Sequence, residues 1–151
     1  MRTCPAGALT RATPHLRAIA HRLIRAEAEG VDAAESGGPL AFPATDRLRP
    51  HLATMLGSGG VRALLGRALA LATVEVPWLS GARVNSQGDM DGLDALRATL
   101  DPKAFLEGRI VLLAQLLGLL VAFVGPALTS RLVGEIWPQV PLAERDFGKE
   151  P

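Results

Sequence analysis

The chain contains no tyrosine, two tryptophans and four phenylalanines, so aromatic residues make up only 4% of its 151 positions. Sheet proteins lean on aromatic and β-branched side chains, and a core built mainly from Leu, Ala and Val favours helices. Cysteine is nearly as scarce. Cys4 stands alone, which excludes an intramolecular disulfide and any CxxC metal or redox motif, and fits a reducing cytoplasm. Lys103 and Lys149 are the only lysines among 16 basic residues, and 15 acidic residues leave a formal charge of +1. That balance singles out no class of partner. The opening residues, MRTCPAGALTRATPHL, hold no continuous apolar run of the kind a secretory signal needs, nor an apolar segment before Cys4 for a lipobox.

What is present is apolar, arginine-rich and punctuated. Hydrophobic residues make up 48% of the chain, with abundant Ala, Gly and Leu, a bias typical of GC-rich bacterial genomes. The length corresponds to one domain, able to bury about 70% of its unfolded surface without a metal or disulfide staple. Residues 10–29 predict an amphipathic helix, with Leu16, Ile19, Ala20, Leu23 and Ile24 on one face and Pro14 suited to its first position. Gly30 supplies a stop. Residues 30–45 read as a loop, with Leu40 and Phe42 as its apolar anchors. A second helix is expected over 46–56, capped by Thr45 or Asp46 or displaced to Arg49 by Pro50. The GSGG run then separates it from a third over 60–75. There Val61, Leu64, Leu65, Ala68, Leu71 and Ala72 form the core stripe, and the PWL stretch ends the segment. A short helix over 91–100 points Leu93, Leu96 and Leu100 inward, and Asp101-Pro102 opens a fifth.

That fifth helix, about 103–124, lies in a 21-residue stretch from Ile110 to Ser130 that carries no charge. Gly125-Pro126 interrupts it, leaving 15 uncharged, mostly apolar residues from Ile110 to Val124. At 1.5 Å per residue they span roughly 22 Å, against a hydrocarbon layer of roughly 30 Å. A buried core helix is the preferred reading and a membrane anchor over 110–130 the alternative. Gln115, Gly118, Ala122 and Gly125 share one face, where another helix can approach closely. A sixth helix over 126–136 is expected to bury Leu128, Leu132, Val133 and Ile136. Trp78 and Trp137, each beside a proline, are expected to seal the core edge, and 138–151 to be an irregular tail.

Motifs with chemistry are weak throughout. Asp89, Asp91 and Asp94 begin like a calcium loop, but Asp94 stands where that loop needs glycine and Leu100 where it needs glutamate. Acidic residues in the first turn of a helix explain them better. Ser58, Gly59, Gly60 and Arg62 form a candidate anion site at a helix start, although no Gly-Lys-Ser/Thr ending follows. Ser58 has no nucleophile-elbow context. His15, His21 and His51 have no metal-ligand spacing, and Cys4 has no local base. Arg2, Arg11, Arg17, Arg22 and Arg25 precede the first acid, Glu27, yet no aromatic is interleaved for nucleic-acid stacking. Arg62, Gly66, Leu69 and Thr73 form a candidate self-association surface, with Leu69 outside the core stripe as a knob beside Gly66.

The segments LRPHLATMLGSGGVRALLGRALALATVEVPWL and LLAQLLGLLVAFVGPALTSRLVGEIWP resemble a family of small all-helical bacterial proteins without an established function, over roughly residues 48–138. The shared elements are packing signatures, so the resemblance implies a soluble helical fold and no catalytic residue. Together these readings predict an all-α, cytoplasmic bundle of five or six helices around the 103–124 helix. Its expected role is non-enzymatic, through a protein partner or a homodimer, with no cofactor and no metal. A membrane-associated protein, or a small enzyme or anion sensor at the 57–62 turn, are the alternatives.

Overall fold

The computed structural model describes residues 14–30, 43–85, 90–138 and 140–141. It is all-α apart from a minimal two-stranded ribbon: α1 (Pro14–Gly30), α2 (Pro43–Glu75), a 3-10 turn (Pro77–Gly81), β1 (Arg83–Val84), β2 (Met90–Asp91), α3 (Leu93–Thr99), α4 (Pro102–Val124) and α5 (Pro126–Ile136). The 30–45 loop and the 138–151 tail lie largely outside the described residues, as do Leu40, Phe42 and Cys4.

α4 is the centre. Residues 111–117 are buried without a break, which over nearly two turns means burial around the whole circumference. α1 and α2 flank it, α5 folds back on it, and α3 touches its start. Small residues set how closely these elements approach. A Cβ added at Gly118 would sit 3.1 Å from Leu16 Cδ1, so α1 packs where the small-residue face was expected to admit a helix. At Gly108 the occupant is the Trp78 ring, carried in by the 3-10 turn; an added Cβ would lie 2.7 Å from Cη2 and closer still to Cζ2. Trp78 is half-buried and stacks on Phe105, with centroids 5.6 Å apart and rings inclined by 20°. Trp137 lies inside the core, at 0% exposure, and not at its edge.

α2 departs from expectation in three ways. It begins at Pro43, not at Asp46 or Arg49, so neither Thr45 nor Asp46 is its cap and Pro50 lies inside it. The GSGG run does not open a loop. Only Gly57 leaves helical geometry, at φ 77° and ψ 164°, a combination essentially confined to glycine, while Ser58, Gly59 and Gly60 stay helical. Third, the buried stripe of its second half is Val61, Leu65, Ala68, Leu69 and Ala72. It is turned toward Leu69 and away from Leu71, which is half-buried. Leu69, 8% exposed, is therefore a core residue and not a protruding knob.

The segment after α2 holds structure that periodicity did not reveal. Val76 is extended before Pro77, as a residue preceding proline prefers. The antiparallel ribbon pairs Arg83 with Asp91 and Val84 with Met90. Gly92 follows at φ 94°, where a Cβ would lie 2.6 Å from the Gly81 carbonyl oxygen. α3 therefore begins at Leu93, two residues later than expected, and Asp91 belongs to the ribbon and not to a first helical turn.

The shielding of α4 also ends early. Phe123 is 69% exposed and Ala122 is exposed beside it. Gly125 then turns the chain at φ 93° and ψ 160° into Pro126. α5 buries Thr129, Ser130, Leu132, Val133 and Ile136, but Leu128, expected inside, is 41% exposed. It lies in the first turn of α5, one residue before the buried face begins.

Candidate functional site

The candidate anion residues are neighbours only along one helix. Ser58, Gly59 and Arg62 are exposed and Gly60 is half-buried, in the turn and a half after the Gly57 kink. A Cβ at Gly60 would meet Leu56 Cβ at 2.8 Å, so this glycine serves the tightness of the kink. In the candidate association surface, Arg62 is exposed, while Gly66 and Thr73 are half-buried. The Thr73 hydroxyl donates to the Leu69 carbonyl at 2.7 Å, and Leu69 itself faces the core. The four residues do not form one exposed patch.

Of the acidic trio only the Asp91 side chain is described. Asp89 lies outside the described residues, and Asp91 accepts from Asn85 Nδ2 at 3.3 Å on both carboxylate oxygens. Asp94 falls on α3, where only its backbone is described. No group of three or more His, Cys, Asp or Glu side chains capable of holding a metal occurs among the described residues.

Three features were not anticipated. First, a polar chain crosses the contact of α1, α2 and α4. Gln115, buried on α4, donates through Nε2 to Glu75 Oε2 at 2.8 Å. Arg17 of α1 lies 4.0 Å from the other Glu75 oxygen and donates to Glu107 Oε2 at 2.7 Å. The Glu75 side chain is only 9% exposed, whereas those of Arg17 and Glu107 are 39% and 55% exposed. A carboxylate this enclosed is expensive unless it is hydrogen-bonded and paired. Its partners come from two other helices, so the chain fixes the relative register of all three. The signal in sequence was Gln115 itself, the one polar residue from Ile110 to Ala127.

Second, a cleft of about 320 Å³ lies between α3 and the first turns of α4, lined by Arg97, Leu100, Pro102, Phe105, Leu106 and Arg109. Arg109 Cζ sits 5.7 Å from the Phe105 ring centroid, a cation–π contact. Third, the α4–α5 corner is an exposed apolar surface. Phe123 and Leu128 are its large exposed side chains, Ala122, Pro126 and Ala127 beside them in sequence are exposed too, and no charged residue occurs from Ile110 to Ser130.

α4 is, by length and composition alone, able to cross a membrane. It has 23 residues and its most apolar 18-residue window has a mean hydropathy of 1.9, but half of that window is buried inside the protein. The full helix is thus longer than its charge-free part, Ile110 to Val124, and the length argument against a span does not hold for it.

Compared with family models, curated proteins and solved structures, the chain gives no match.

Proposed function

We propose that the protein is a non-enzymatic cytoplasmic interaction module, and that its contact surface is the apolar corner between α4 and α5. The observation that carries this reading is Phe123, 69% exposed near the end of a helix whose middle, residues 111–117, is buried. A single exposed apolar side chain means little. A contiguous apolar surface is different, and such surfaces mark sites of association. Aromatic side chains are favoured at the centres of interfaces and charged ones are depleted there, which suits a corner built from Ala122, Phe123, Pro126, Ala127 and Leu128. Self-association is the simplest form of the proposal, because a symmetric contact would set one corner against the same corner of a second copy. Leu69 has no part in it, being buried.

Sedimentation velocity over a micromolar concentration series tests this. The wild type is expected to shift toward a dimer as concentration rises, and Phe123→Ser with Leu128→Ser to remain monomeric with unchanged helicity. A concentration-independent monomer that also leaves a Phe123 cross-linker unreacted with other proteins would overturn it. The composition of α4 favours one second reading, contact of the same corner with a lipid surface. Co-sedimentation with liposomes, lost in the Phe123→Ser variant, would identify that case.

A further inference from the structure

We propose that the cleft between α3 and the start of α4 binds a small organic anion: a carboxylate carried on a small apolar body. This site is independent of the α4–α5 corner and lies at the opposite end of α4. Its lining divides by chemistry. Among the described residues that line it, Leu100, Pro102, Phe105 and Leu106 make an apolar surface and Arg97 and Arg109 carry positive charge. Asp101, beside Pro102 in sequence, is exposed and is not part of the lining.

Arginine suits this task for geometric reasons. Its planar guanidinium carries five N–H donors, so it can serve a neighbour and still present two parallel donors to a carboxylate. Arg109 is held over the Phe105 ring, and that ring is itself stacked on Trp78. The fork is thereby oriented before any ligand arrives, which reduces the ordering required on binding. The start of α4 adds the positive end of its helix dipole, and Asp101 makes no side-chain cap there.

The size of the cleft selects among anions. About 320 Å³ is at the low end of small-molecule sites. It suits a ring or short chain and not a nucleotide. The predominance of apolar lining means that a bare inorganic anion would leave most of the surface unused.

Isothermal titration calorimetry on the full chain, with benzoate, benzamide and inorganic phosphate as probes, tests the proposal. Benzoate is expected to bind saturably at one site per chain. Benzamide, which has the same shape without the charge, and phosphate, which has the charge without the apolar body, are each expected to bind about tenfold more weakly or worse. Arg97→Gln and Arg109→Gln should each weaken benzoate binding by about tenfold or more. Arg109→Gln also removes the contact with Phe105, so if that variant fails to fold, Arg97→Gln decides alone. Absence of saturable benzoate binding overturns the proposal, as does equal affinity for benzamide or unchanged affinity in Arg97→Gln. Equal affinity for phosphate would reduce the site to an adventitious ion only, and overturns it too.

Discussion

Gly108 occupies a position where two ordinary rules predict opposite outcomes, and the structure decides between them. It lies in the first half of α4, well inside a helix, where replacing glycine by alanine normally stabilises by about 1 kcal/mol. Here the new methyl would lie 2.7 Å from Cη2 and 3.1 Å from Cε2 of Trp78, and closer again to Cζ2. No real pair of carbon atoms tolerates that, so the indole must move. Moving it forfeits the stack on Phe105, worth about 0.5–1.5 kcal/mol, and overpacking at such a site costs about 1–3 kcal/mol more. Set against the gain in propensity, Gly108→Ala should destabilise the protein by about 2 kcal/mol. For a chain of this length that lowers Tm by roughly 4–8 °C.

Urea denaturation followed by far-UV circular dichroism measures the effect. Intrinsic fluorescence localises it, because Trp137 is fully buried and any change in solvent contact will come from Trp78. The sharper assay is a double-mutant cycle. In a Trp78→Ala background the obstruction is gone, so Gly108→Ala should become neutral or stabilising by up to about 1 kcal/mol. A change of sign between the two backgrounds is the expected result. If Gly108→Ala stabilises the wild-type protein, Trp78 does not rest on α4 as described, and the placement of the 3-10 turn is wrong.

Other perturbations probe the rest of the core. Leu117, fully enclosed on α4, should cost about 2–5 kcal/mol on truncation to alanine, read as a lower urea midpoint; an unchanged midpoint would contradict the central position of this helix. Gln115→Ala should cost about 1–3 kcal/mol, because it strips a hydrogen bond from the enclosed Glu75 carboxylate. Glu107→Gln, which weakens only the exposed end of the same chain of contacts, should cost less than about 1 kcal/mol and lose even that in high salt. Equal effects at the two positions would show that burial of Glu75 has been overestimated.

The helices were legible in the sequence because their periodicity and their prolines are strong local signals. Pro14, Pro102 and Pro126 each mark a helix start, and the 103–124 helix is central as its uniform apolarity implies. Position around a helix was harder to read. On α2, spacing places Leu64 and Leu71 in the stripe and Leu69 outside it, whereas the packed helices cover Leu69 and leave the other two half-buried. GSGG carried too strong a loop signal, because glycine permits a break without requiring one, and the structure uses only Gly57. The candidate sites were less legible still. Arg17, Glu75 and Gln115 come from three helices separated by 40 residues or more along the chain, so no spacing rule connects them. The arginine cleft is half visible, since Pro102, Phe105, Leu106 and Arg109 recur at helical intervals on α4. Its other wall comes from α3, and pairing the two requires the fold.

The same physics gives an expectation for where α4 resides. Its composition would admit a membrane span, yet a spanning α4 would have to abandon its contacts with α1, α2 and α5. Those helices would then expose Leu23, Leu65, Ala68 and Val133, all now buried. Glu107 and Arg109 sit within the first two turns, and moving either toward the bilayer centre is costly, by about 2.5–3.5 kcal/mol on insertion scales for a charged residue. Gln115 would lose its hydrogen bond to Glu75. Each change is unfavourable, and lipid contact at the exposed Phe123 end of the helix offsets only part of it. The full chain expressed without detergent is therefore expected in the supernatant after high-speed centrifugation. Contact of the Phe123 corner with lipid would leave a minor pelleted fraction, released by Phe123→Ser. A pellet that resists both that substitution and alkaline carbonate, and yields only to detergent, would mean that α4 spans the bilayer and that the bundle around it is not the native state.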